Sequence, residues 1–224
     1  RKAYSANNMK RLGIAIHNYH DTYNRFPPAY STDKDGKPLL SWRVLVLPYV
    51  EQQSLYDQFR LDEPWDSEHN KKLMAKMPSA FRSPSSKAEP GKTNYLGVSG
   101  PQGIFPGQDE IGFRHVIDGT SNTVMIVEAS DKSAVIWTKP DDFVPDAKEP
   151  KKGLLGLWKG GFHAGFADGS ARFLNEAIDD ETLRALFTRN GREPIDRTRL
   201  GDSRPVLRTP VRVPADAPAR LAPV

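Results

Sequence analysis

The chain opens with a helix that is stopped hard. Met9, Leu12, Ile16, Tyr19 and Tyr23 recur at steps of three and four, so they share one face of an α-helix. Asn7, Asn8, Lys10, Arg11, Asn18 and Asp21 take the other face. Phe26-Pro27-Pro28 ends the pattern, because proline lacks an N–H and drives the residue before it out of the helical region. One apolar stripe must be buried against another layer, so the rest of the chain has to supply that layer.

Residues 31–41 read as a turn, with Asp33, Asp35, Gly36 and Pro38 clustered between apolar runs. Ser41 caps a second helical stretch, Trp42 to Phe59, which Pro48 kinks or splits. Asp66 or Ser67 caps a third, Glu68 to Met77, stopped by Pro78. After residue 80 short apolar runs alternate with Gly, Pro, Asn and Asp, the grammar of strands and turns. The spacing predicts strands at Asn94–Ser99, Thr123–Ala129, Ala134–Thr138, His163–Ala167 and Ala171–Leu174, the last two joined by the hairpin turn Asp168-Gly169. Asp179 or Asp180 caps a closing helix to Thr188, with Leu183, Leu186 and Phe187 inward. Helices first and strands later predict an α+β fold, helices on one face of a mainly antiparallel sheet.

Residues 194–224 hold six prolines and no aromatic residue, a composition that builds no core. The expected organisation is one α+β domain over 1–193 and a Pro/Arg-rich linker or disordered tail over 194–224. Residues 191–224 also carry seven Arg against four carboxylates, which is three of the net +4 charges. Residues 1–190 are thus close to neutral, and no basic platform for nucleic acid is expected. The absence of cysteine excludes disulfides, thiolate metal sites and a Cys nucleophile. No run approaches the ~18 apolar residues of a membrane helix. The chain starts Arg-Lys-Ala, without an initiator Met or an apolar signal region, so a fragment or processed form is expected, with membrane attachment only through an upstream segment.

No catalytic signature stands out. The GxSxG, GxGxxG and GxxxxGK[ST] patterns are all missing. His17 and His20 lie three apart, a spacing that could present two imidazoles to one metal, but no HExxH pattern accompanies them, so surface or helix-packing histidines are the expectation. Asp33-Lys34-Asp35-Gly36 resembles a calcium loop, yet its twelfth position is Trp42 where the bidentate Glu should be. His163 stands five residues before Asp168, which predicts a His–Asp hydrogen bond that fixes the turn. Glu128 ends the apolar run Val124–Val127, so its carboxylate is expected buried and paired, with Arg172 or with backbone N–H groups, as a fold-specifying residue. The turn Asp118 to Asn122, with Ser121, offers oxygen ligands either to a hard cation or to its own backbone. Asp118 and Asp168 are the candidate ligands for a structural calcium; no other cofactor is expected. Trp42, Trp65, Trp137 and Trp158 could form a sugar-stacking platform, although core and loop packing is the default for tryptophan.

Six strings taken together are familiar. They are Asn7–Asp21 through Phe26-Pro27-Pro28, Leu40–Leu45 with Leu47–Gln52, Asp62–Asn70, Asp118–Thr123, Trp137–Pro140 and Gly161–Ser170. In this order the chain resembles the family called domain of unknown function 1559, expanded in planctomycete-type bacteria and described as pseudopilin-like or solute-binding. The resemblance covers about residues 5–193. It implies a pilin-like layout, an N-terminal helix packed on an antiparallel sheet, in the cell envelope. The family's usual Cys-Pro-Ser is Ser83-Pro84-Ser85 here, so any disulfide role at that point is gone.

The expected function is therefore a non-enzymatic, extracytoplasmic cell-envelope module that acts by self-assembly or by contact with protein partners. The alternative is a ligand-binding module for a glycan or small solute, using Trp65, Trp137, Asp118, Ser121, Asn122 and His163. An enzyme is expected only if His163 and Asp168 converge with a hydroxyl or carboxylate.

Overall fold

The computed structural model describes residues 1–200. Helix α1 (Lys2–Tyr23) buries Ser5, Asn8, Met9, Leu12, Gly13, Ala15, Ile16 and Tyr19. The stripe is the predicted one with two corrections. Asn8 lies inside it, because its amide donates to the carbonyls of Ser79 and Arg82. Tyr23 is half exposed, because it falls in the last turn where the partner layer ends. Asn24 closes the helix in the left-handed conformation, its N–H returning to the His20 carbonyl. The double proline lies beyond this cap and prevents any continuation.

The predicted turn at 31–41 is a β-hairpin, β1 (Tyr30–Thr32) with β2 (Pro38–Ser41). Asp33 Oδ1 accepts the N–H groups of Asp35 and Lys37, and Gly36 takes φ +81°, so Asp-Gly serves the turn itself. The expected helix from Trp42 to Phe59 is split into α2 (Trp42–Leu45), a 3₁₀ turn at Leu47–Val50 that contains Pro48, and α3 (Gln53–Tyr56). Ser41 Oγ caps α2 by accepting from Arg43 N–H. The third stretch is a 3₁₀ helix, Asn70–Lys76, whose first N–H is held by Ser67 Oγ.

Four strands, β4 (Tyr95–Gly97), β5 (Val124–Glu128), β7 (Gly161–Phe166) and β8 (Ala171–Asn175), form an antiparallel sheet in the order β4-β5-β7-β8. A separate pair joins β3 (Lys92–Thr93) to β6 (Val135–Ile136), so the strand predicted at 134–138 stays outside the main sheet. Helix α4 (Asp180–Leu186) is capped by the Asp179 carboxylate, which accepts from Thr182 N–H. Its Leu183 and Leu186 are buried, as is Phe187 just beyond.

The sheet is walled on both faces. Met9, Leu12 and Ile16 of α1 meet Met125 and Ile126 of β5, together with Trp42, Phe81 and Trp137. On the other face Leu96, Val127, Phe162, Phe166 and Leu174 pack against Leu183, Leu186 and Phe187. A register shift in β5 between Val124 and Ile126 turns two successive residues, Met125 and Ile126, toward α1. Leu200 is buried in the second core, so that core reaches past residue 193; the remainder of the expected tail, 201–224, lies outside the described residues. Among the described residues no helix is long and apolar enough to cross a membrane.

Contact between α1 and the hairpin turn depends on a missing side chain. A Cβ at Gly13 would sit 3.2 Å from the Gly169 Cα, a backbone atom that cannot rotate away. Gly13→Leu is expected to lower unfolding stability by about 1–3 kcal/mol in urea denaturation. Ile14→Leu, on the exposed face, should stay within about 0.5 kcal/mol. Equal stability of the two variants would contradict this packing.

Candidate functional site

One rung of the sheet carries the densest polar chemistry. Tyr95 pairs with Glu128 across β4 and β5, and His163 pairs with Phe173 across β7 and β8. The pairing of Val127 with Ala164 sets Glu128 beside His163. Because side chains alternate between faces, Tyr95, Glu128 and His163 all point toward α1. Glu128 is fully buried, and its two oxygens collect four donors. Ser5 Oγ at 2.7 Å and Ser83 Oγ at 2.6 Å donate to Oε1. Trp158 Nε1 at 2.7 Å and His163 Nδ1 at 2.6 Å donate to Oε2. The Tyr95 hydroxyl lies 2.8 Å from Ser5 Oγ and donates to it, since the Ser5 proton is already committed to Glu128.

The sequence expectations for these residues are half met. Glu128 is buried and paired, but with His163, Trp158 and two serines; Arg172 instead lies over the Phe166 ring. His163 does not bond Asp168, because β7 turns its side chain inward to Glu128, whereas Asp168 Oδ1 accepts the Ser170 N–H at the exposed turn. Ser5 and Tyr95 were not singled out by sequence reading; Trp158 was read as a sugar-stacking or packing tryptophan and Ser83 as a replaced cysteine, neither as a partner of Glu128. Ser5 had a signal, a hydroxyl residue four positions before Met9 on the apolar stripe. Ser83 had another, since it replaces the cysteine that the resemblance leads one to expect.

The arrangement differs from a nucleophile–base–acid relay. Both serine hydroxyls donate directly to the carboxylate, and no hydrogen bond joins either of them to the imidazole. A serine nucleophile needs its proton held by the base, with the carboxylate behind that base. His163 is only 2% exposed and Glu128 is at 0%, so the pair is closed to solvent in this structure. The geometry is that of a fastening between α1, the segment after the 3₁₀ helix at Ser79–Phe81, and three strands.

The other candidate residues are dispersed. Trp137 is fully buried between Phe59 and Phe81, and its indole N–H donates to the Met74 carbonyl, so it presents no face to a sugar. Trp65 is half-buried, with Lys139 above its ring. The Asp118 carboxylate accepts the N–H groups of Gly191 and Arg192, each at 2.7 Å, and Asn122 donates to the Asp118 carbonyl. Ser121 lies in the same 3₁₀ turn. The Asp118 and Asp168 turns are neighbours, because Asp168 N–H donates to the Thr120 carbonyl. Their carboxylates already serve backbone groups, and among the described residues no group of three or more acidic or histidine side chains is placed to hold a metal ion. His17 and His20 pack on Phe113, as expected for helix-packing histidines.

A second charged pair lies behind the β1–β2 hairpin. Arg43, at 0% exposure, donates to Asp142 Oδ1 at 2.7 Å and to the carbonyls of Trp137, Lys139 and Asp141. Burial pushes the Asp142 carboxyl up, while Arg43, the Trp42 indole and the Gly97 N–H act to keep it ionised. An open groove of about 390 Å³ lies elsewhere, between the loop at 99–103, the segment at 144–147 and α4. Val144 stands at its edge with 68% exposure.

A family model described as "Protein of unknown function (DUF1559)" matches residues 1–100 and 86–156. No curated protein and no solved structure matches the chain.

Two outcomes test the polar rung. Glu128→Gln turns an amide toward the Trp158 and His163 donors and should cost about 3 kcal/mol of stability, read by urea denaturation; a change below about 1 kcal/mol would sink the fastening role. Burial, joined by the Glu128 charge, raises the Tyr95 phenol above the usual tyrosine range, and burial also raises Tyr19 and Tyr56. The neutral phenols are favoured in the fold, so their stabilisation is complete below the unfolded value of about 10 and is lost as pH rises through the folded values. Absorbance titration at alkaline pH should therefore show these three of the seven tyrosines ionising late. One common transition for all seven would contradict the burial.

Proposed function

The chain belongs to the DUF1559 family, and we propose that it is a non-enzymatic, extracytoplasmic module of the cell envelope that acts through contact with protein, first of all with further copies of itself. The observation that carries this reading is the division between a sealed interior and an apolar surface groove. The grouping of hydroxyl, imidazole and carboxylate around Glu128 is closed to solvent and wired as a fastening. The groove beside α4 is open, and Val144 projects from it at 68% exposure between Pro145 and the glycine-containing loop at 99–103. An exposed apolar side chain at an apolar concavity is the kind of surface that association covers.

The alternative, a solute- or glycan-binding module, draws support from the family model's short name, SBP_bac_10, and from the grooves themselves. A structural calcium at the Asp118 and Asp168 turns is a lesser addition to either reading; a thermal melt unmoved by millimolar calcium would rule it out.

Photo-cross-linking tests the contact reading. A cross-linker at position 144, in the natural cell, is expected to give a covalent dimer recovered with the envelope fraction. A probe at exposed Lys72 serves as the control. No adduct beyond that of the control, or recovery of the chain in the cytosol, would overturn the proposal.

A further inference from the structure

The end of α1 and the segment from Leu45 to Tyr56 enclose a groove of about 380 Å³ that sequence reading did not anticipate. Four tyrosines line it: Tyr19 and Tyr23 from α1, Tyr49 from the 3₁₀ turn and Tyr56 from α3. Pro48 and Gln53 complete the part that matters here. The rings of Tyr19 and Tyr23 are 4.4 Å apart between centroids, and Tyr49 meets Tyr19 edge-on at 6.0 Å. Tyr23 and Tyr49 lie close enough to bear on the titration of both Tyr19 and Tyr56.

What these groups offer decides the ligand. Tyr49 donates its proton to Thr22 Oγ1 and keeps lone pairs free. Among the described residues no protein partner hydrogen-bonds the hydroxyls of Tyr19, Tyr23 or Tyr56. One N–H of the Gln53 amide goes to Asp57, which leaves the other N–H and the carbonyl oxygen available. No charged side chain lines the groove, and nearby Arg25 is paired with Glu110. An anion would find no cation here. An ammonium ion would need ring faces around it, but Tyr23 and Tyr49 crowd the Tyr19 ring. A neutral molecule with many hydroxyls and an apolar C–H face satisfies both the free phenols and the rings.

We propose that this groove is a carbohydrate-binding site, in which a neutral sugar ring lies on the exposed Tyr23 ring and exchanges hydrogen bonds with the hydroxyls of Tyr19 and Tyr56 and with Gln53 Oε1. The proposal deepens the glycan-binding alternative above and moves it from the tryptophans to the tyrosines. It shares no residue with the groove at Val144, so the cross-linking result and this one stand or fall separately.

The test is an NMR titration of the labelled chain with cellohexaose, maltohexaose and the hexamer of N-acetylglucosamine, with choline and inorganic phosphate as comparisons. At least one oligosaccharide is expected to give saturable shifts at Tyr19, Tyr23, Tyr49 and Tyr56. Tyr23 is 53% exposed, so Tyr23→Ala leaves the fold intact. It should weaken that binding about tenfold, the loss of one good contact. Tyr4→Ala, exposed at the other end of α1, should leave it unchanged. The proposal is overturned if none of the three sugars binds at millimolar concentration, if Tyr23→Ala binds as well as the parent chain, or if choline or phosphate alone shifts these tyrosines.

Discussion

A carboxylate at 0% exposure is costly to remove from water, and the fold around Glu128 is arranged to meet that cost. Four donors reach its two oxygens, and they come from parts of the chain that are far apart: Ser5, Ser83, Trp158 and His163. The requirement for donors therefore fixes where α1 sits on the sheet, where the segment after residue 81 returns, and how Trp158 approaches β7. Apolar burial alone would let α1 slide along the sheet. Hydrogen bonds to a charged group are directional and short, so they select one register.

Arg43 does the complementary work for the irregular half of the molecule. The segment between β6 and Phe143 forms no ladder, and its carbonyls need donors that a strand would otherwise supply. Arg43 provides them at Trp137, Lys139 and Asp141, and Asp142 balances its charge. Short strands and frequent turns are thus tied together by two buried ionic groups, one acidic and one basic. Each is joined to both backbone and side chains from distant positions.

The helices and the central strands were legible because periodicity is local. Met9, Leu12 and Ile16 announce α1, and the alternation around Asp168-Gly169 announces the β7–β8 hairpin. The Ser41 and Asp179 caps are read from a few adjacent residues. What stayed hidden depends on contacts across long stretches of sequence. Nothing next to His163 says that its partner is Glu128 and not Asp168, because the choice is made by the register of β5 on β7. The turn of the β1–β2 hairpin was legible at Asp35-Gly36, but its strands were not, because they are three and four residues long, too short to show alternation. Asn8 looked like a surface residue because its acceptors, the Ser79 and Arg82 carbonyls, are about seventy residues away. The tyrosine groove was hidden for the same reason: Tyr23 and Tyr56 belong to different elements, and only packing brings them together.

The position of Ser5 has a mechanical meaning. It lies in the first turns of α1 and is tied to Glu128 and Tyr95, while Gly13 and His17 further along lean on the β7–β8 turn. A pull on α1 from its N-terminal end would meet the Ser5 bonds to Tyr95 of β4 and Glu128 of β5 before the contacts at Gly13 and His17. A helix fastened only near its far end would peel away turn by turn under the same pull. Fastened at the first turns as well, α1 is held to the middle of the sheet at both ends of its contact.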